Sequence, residues 1–147
     1  MTRPPWVAPA TFVLALAGMA VAAYLTIVHY TSPKLLVCSA SGVVNCEQVT
    51  TSSESMILGI PVALLGLVWF VAVSVLCSPW AWRSGSRRIE LSRIGAVVAG
   101  MGFVLWLLYA ELYRIRAICL WCTVVHLIAF ALFILVLLYG RATAPED

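Results

Sequence analysis

Four of the five cysteines in this chain fall into two spaced pairs, and spacing of that kind permits redox chemistry. Cys119-Leu120-Trp121-Cys122 is a C-x-x-C. Residues three apart share a helical face, so the two sulfurs can meet. The thiolate is the reactive form, and a helix N-terminus and nearby cations favour it. Arg114 and Arg116, just before Cys119, are the expected source of that positive charge. Such a pair suits cycling between dithiol and disulfide. Cys38 and Cys46 enclose Ser39-Ala40-Ser41-Gly42-Val43-Val44-Asn45, whose small residues, Gly and Asn let the chain turn back. A disulfide closing so short a loop constrains the unfolded chain by only about 2–3 kcal/mol. Alone, this pair reads as a staple. Beside a C-x-x-C on the same face it reads as half of a relay, each thiolate attacking the next disulfide. A Cys₄ zinc site is the competing reading, but structural sites usually use two close-spaced knuckles and only one pair here has that spacing, so no metal is expected.

His126 stands four residues after Cys122 and seven after Cys119, on their helical face. An ionisable residue inside an apolar span is a functional candidate by default. It would hydrogen-bond a ligand carbonyl or pass a proton, and an interhelical hydrogen bond is the plainer alternative.

The elements that position these residues are membrane helices. Hydrophobic residues make up 63% of the 147 and charged residues 10%, against about 45–50% and about 25% in globular chains. Four apolar segments approach the roughly 20 residues needed to cross about 30 Å of hydrocarbon: 7–28, 56–76, 94–113 and 120–139, with Glu111 close to the end of the third. The first exceeds the 7–15 apolar residues of a signal peptide and is read as an uncleaved helix. The expected fold is an all-α integral membrane protein, a single domain over 1–147. Its four transmembrane helices form a bundle, with an extracytoplasmic capping loop over 31–55 and a cytoplasmic loop over 78–93. The net charge of +3 is small and scattered, so no nucleic-acid partner is expected.

With four spans both termini share a side. That side holds Arg3, Arg83, Arg87, Arg88, Arg93 and Arg141, against Lys34, Arg114 and Arg116 opposite. The positive-inside bias makes the termini cytoplasmic in the plasma membrane. Trp80 and Trp82 are then inner interfacial aromatics, and His29 is an outer interfacial residue. Both cysteine pairs fall outside, where disulfides persist, and lone Cys77 falls at the cytoplasmic end of the second helix.

A relay needs a terminal acceptor. The chain has no nucleotide fingerprint, and a lipid-soluble quinone suits an apolar site with a few polar groups. Thr51-Ser52-Ser53-Glu54 matches a capping box for the second helix, with Thr51 as N-cap. Gly66, Gly95, Gly100 and Gly102 read as sites of close helix approach.

Taken together, Cys38-x₇-Cys46, the following Glu47-Gln48-Val49-Thr50-Thr51-Ser52, Gly59-Ile60-Pro61 and Cys119-Leu120-Trp121-Cys122 resemble the vitamin K epoxide reductase family in its bacterial form. The resemblance covers nearly the whole chain. It implies a four-helix bundle around a quinone pocket, with Cys119 and Cys122 as the redox centre, Cys122 nearest the quinone, and Cys38 and Cys46 as the shuttle. It also implies that Ser52 lies near the C-x-x-C, and that Ser55 and His126 fall near positions contacting quinone carbonyls. The activity implied is thiol oxidation by a membrane quinone (menaquinone or ubiquinone), with a separate thioredoxin-fold, DsbA-like partner as donor. A coumarin-type inhibitor is the further ligand the resemblance brings. Many relatives have an aromatic residue where this chain has Glu54, and many have tyrosine or a small residue at His126. Alternatives are reduction of vitamin K epoxide itself and a non-catalytic membrane subunit stapled by disulfides or metal. The other bacterial quinone-linked disulfide enzyme carries its C-x-x-C in the first outer loop, whereas here it opens the last helix.

Overall fold

The computed structural model describes residues 3–38 and 41–140. Ser39, Ala40 and the tail from Arg141, which entered the loop and charge readings above, lie outside the described residues. The chain runs α1 (Val7–Thr31), α2 (Cys46–Thr50), β1 (Met56–Ile57), β2 (Ile60–Pro61), α3 (Val62–Leu76), α4 (Pro79–Arg83), α5 (Arg87–Tyr109) and α6 (Leu120–Gly140). α5 runs on into a π-helical turn over Ala110–Ile115.

α1, α3, α5 and α6 pack in a ring, α1 against α3 and α6, and α5 against α3 and α6. α1, α5 with its π-turn, and α6 are each long and apolar enough to cross a membrane. The second apolar segment differs from expectation. Its helix starts at Val62, not Met56, and spans 15 residues, about 22 Å at 1.5 Å per residue. Pro61, at the N-cap in an extended conformation, marks the start. Residues 56–61 instead form a two-stranded hairpin, pairing Met56 with Pro61 and Ile57 with Ile60. Its turn places both Leu58 (φ 52°) and Gly59 (φ 81°) in the left-handed region, as tight hairpins require.

The 51–54 capping box is overturned. Thr51 closes α2 and its hydroxyl donates to the Glu47 carbonyl at 2.7 Å. The working N-cap is Asn45, whose side chain accepts from the Gln48 N–H at 3.0 Å. Ten residues, 52–61, separate Thr51 from α3, too far for it to cap that helix.

Of the glycines expected at close approaches, Gly100 alone bears that out: a Cβ there would collide with the Trp69 ring. Gly66, Gly95 and Gly102 face open space, and the second tight approach is Gly18 against Phe70. Trp69 also donates its indole N–H to the Ala96 carbonyl at 2.9 Å, locking α3 to α5.

Residues 78–93, expected as a loop, are largely helical, and their arginines are not equivalent. Arg93 is 2% exposed and donates from Nε to the Leu76 carbonyl at 2.7 Å. Trp82 is buried, not interfacial, with Arg93 3.6 Å and Arg3 4.6 Å from its ring centroid. Its indole N–H donates to the Thr11 hydroxyl at 3.0 Å. Cation–π pairs of this desolvated kind contribute about 2 kcal/mol. Trp80 is exposed, as an interfacial residue would be.

Candidate functional site

The start of α6 is held by the segment between α1 and α3. Ile118 sits beside Val43–Asn45 in a parallel bridge: its N–H donates to the Val43 carbonyl at 2.8 Å, and the Asn45 N–H donates to its carbonyl at 3.0 Å. Trp121 donates its indole N–H to the Val37 carbonyl at 2.8 Å and packs edge-on against Tyr24. Gln48 reaches the Ile115 carbonyl at 3.3 Å. Arg114 pairs with Glu54 at 2.9 Å. That pair is partly exposed and contributes about 0–1 kcal/mol, so the backbone bridge and the buried contacts do most of the positioning.

These contacts bring the two cysteine pairs together. Cys46 is 1% and Cys119 0% exposed, and both belong to one buried cluster with Leu25, Val28, Leu36, Val49 and Ala117. Cys38 is half-buried at its margin and is disulfide-bonded to Cys46. Cys119 and Cys122 are free thiols, as is Cys77, which is buried at the C-cap of α3 in a separate core cluster with Val73 and Trp82. The Cys122 N–H points at the Cys119 sulfur at 3.2 Å.

Cys119 precedes the first residue of α6, and its thiol is held below the ordinary value. The Cys122 side chain, hydrogen-bonded to it, is the main cause, and backbone N–H groups of Cys122 and Trp121 add to it against the opposing effect of burial. The expected arginine field is not what does this. Arg114 is committed to Glu54 and Arg116 is exposed, in a left-handed conformation with φ 57°.

Cys122 opens onto a cavity of about 330 Å³, within the range of small-molecule sites. Its walls come from all four long helices and the 49–55 segment, and are mostly apolar: Leu25, Val49, Leu65, Phe70, Phe103 and Val125 among them. The polar wall groups include His29, Thr50, Glu54, Ser55, Glu111 and His126. His126 is 6% exposed, and its Nδ1 has no hydrogen-bond partner among the described residues.

Of the residues singled out from sequence, Cys122, Ser55 and His126 line this cavity, while Cys119 lies directly behind Cys122. Ser52 is not in the wall, and its hydroxyl donates to the Val49 carbonyl at 2.7 Å. The Ser55 hydroxyl likewise donates to the Ser52 carbonyl at 2.6 Å. Sequence reasoning gave Glu54 only a capping role, His29 an interfacial one and Glu111 none. Glu111's position in an otherwise apolar span was the available signal. Among the described residues no three His, Cys, Asp or Glu side chains converge to hold a metal.

Cysteines joined by a buried cluster, opening on an apolar cavity between apolar helices, three of them of membrane-spanning length, equip the chain for oxidoreduction in a membrane. The family model described as Vitamin K epoxide reductase family matches residues 9–137, from the third residue of α1 to near the end of α6, and the chain belongs to that family.

Proposed function

We propose that this protein oxidises the dithiol of an extracytoplasmic thioredoxin-fold partner and delivers the electrons to a membrane quinone held in the cavity. The observation that carries this reading is the succession of environments: half-exposed Cys38, buried Cys46 and Cys119 in one cluster, then Cys122 in the cavity wall. The partner's thiolate attacks Cys38, the accessible sulfur, forming a mixed disulfide and freeing Cys46. The partner's second thiolate resolves that bond and leaves oxidised. Cys46 then attacks the sulfur of Cys119 in a Cys119–Cys122 disulfide, releasing Cys122. Cys38 closes on Cys46 again and releases Cys119. The pocket dithiol gives two electrons to the quinone, which takes up two protons, and the Cys119–Cys122 disulfide reforms. The net exchange is partner dithiol plus quinone to partner disulfide plus quinol. His126, with its orphaned Nδ1, is suited to a quinone carbonyl, because an unpaired buried polar atom costs about 1–3 kcal/mol until a ligand satisfies it.

The test is reduction of a short-chain quinone by purified protein. With dithiothreitol as donor, Cys119→Ala and Cys122→Ala are expected to abolish turnover, while Cys38→Ala and Cys46→Ala retain it. With a thioredoxin-fold protein as donor, all four lose it. Equal behaviour of the four variants with dithiothreitol refutes the two-pair relay.

A further inference from the structure

Glu111 has no role in the scheme above, which this inference extends and on which it rests. It is 4% exposed within a helix apolar enough to span a membrane. An ionisable side chain there is costly and is a functional candidate by default. It sits in the π-helical turn Ala110–Ile115, whose exit is shaped by the Ala117 N–H donating to the Glu111 carbonyl at 3.2 Å and by the left-handed Arg116. Single π-turns of this kind recur at functional sites because they redirect a side chain off the helical register. Here the side chain reaches the cavity wall that also holds Cys122 and His126. Its carboxyl faces the Cys119 backbone N–H, and its charge acts on both Cys119 and Cys122. The neighbouring Arg114 is engaged with Glu54, so among the described residues no cation is paired with Glu111.

We propose that Glu111 is the proton-transfer group of the pocket, taking the proton of the Cys122 thiol as the Cys119–Cys122 disulfide forms and passing it to an oxygen of the quinone. The balance is complete. Cys119 enters as thiolate and Cys122 as thiol. Two electrons go to the quinone as the sulfur–sulfur bond forms. The Cys122 proton travels through Glu111, which ends the cycle as carboxylate again. The second proton of the quinol comes from water. The other titratable or charged groups around Glu111 are Cys119 just before α6, Cys122 and His126 from α6, His29 from α1, and the Glu54–Arg114 pair at the cavity edge.

Glu111→Gln keeps the size and the acceptor facing the Cys119 N–H but cannot exchange a proton. The experiment follows reduction of a short-chain ubiquinone analogue by dithiothreitol in the full-length purified protein. The expected result is a kcat at least tenfold lower at neutral pH, a quinone KM within threefold of wild type and an unchanged melting temperature. The deficit shrinks as pH rises, because hydroxide takes over the Cys122 proton. Wild-type kcat in the Gln variant, or a loss of the same factor at every pH, overturns the proposal. If the Gln variant does not fold, Glu111→Asp decides: a lowered kcat with the wild-type pH profile supports proton transfer, and a profile rising only at alkaline pH refutes it. Absence of quinone reduction by wild-type protein defeats the underlying reading. Active wild type and inactive Cys122→Ala, with Glu111→Gln unaffected, defeats the role of Glu111 alone.

Discussion

Within the C-x-x-C, the two sulfurs have different environments although the sequence presents them as a symmetrical pair. Cys119 receives the hydrogen bond of the Cys122 thiol and backbone N–H groups at the start of α6, which stabilise its thiolate. Cys122 faces the cavity. The sign of the effect is fixed by the proton inventory: a thiol pKa below the ordinary value means the proton is lost at lower pH, so the thiolate is present there. Titration of the reduced protein by thiolate absorbance in the ultraviolet is expected to show one group ionising below the ordinary thiol range. Cys122→Ala removes the principal donor and moves that transition to higher pH, whereas Arg116→Gln leaves it in place. A transition that follows Arg116 instead would restore the arginine field as its cause. The residue types and their three-residue spacing were legible from sequence, but the donor was not, because proximity in sequence does not say which way an arginine turns.

Among the elements, the junctions that position the site depend on contacts between segments far apart in the chain. The Val44–Ile118 bridge and the Trp121–Val37 hydrogen bond join positions more than seventy residues apart. α3 is held against α5 at Gly100, under the Trp69 ring. Gly100→Leu must displace that ring or part the helices, and overpacking of this kind costs about 1–3 kcal/mol. A lowered melting temperature in detergent is expected for Gly100→Leu, with Gly95→Ala and Gly102→Ala close to wild type because a Cβ there meets nothing within 4 Å. Equal melting temperatures for Gly100→Leu and Gly95→Ala would show that the approach is not tight. All four glycines look alike in an apolar run; which of them lies under an aromatic ring depends on how the helices are rotated about their axes, and periodicity in so uniformly apolar a chain does not fix that.

At the scale of the whole molecule, the proposed relay requires one orientation, with both termini in the cytoplasm and both cysteine pairs outside. Alkaline phosphatase fused after Asp147 is expected to be inactive, and the same reporter inserted after Gly42 active. The reverse pattern would put the cysteine pairs in the reducing compartment and remove the basis for the relay. Composition and the lengths of apolar runs were enough to determine a membrane-embedded helical protein, since the bilayer demands long apolar segments with internally bonded backbone. The motif set was enough to point to the family to which the chain belongs. Several features were decided only by tertiary structure. These are the late start of the second helix behind a hairpin, the burial of Arg93 and Trp82, the withdrawal of Ser52 from the cavity wall, and the placing of Glu111 in that wall beside the Cys119 backbone N–H. Each depends on which groups from distant segments meet, and on how the π-turn offsets one side chain from the regular helical register. A local sequence pattern specifies the kind of element a segment prefers, but the partners that element finds are set when the helices pack.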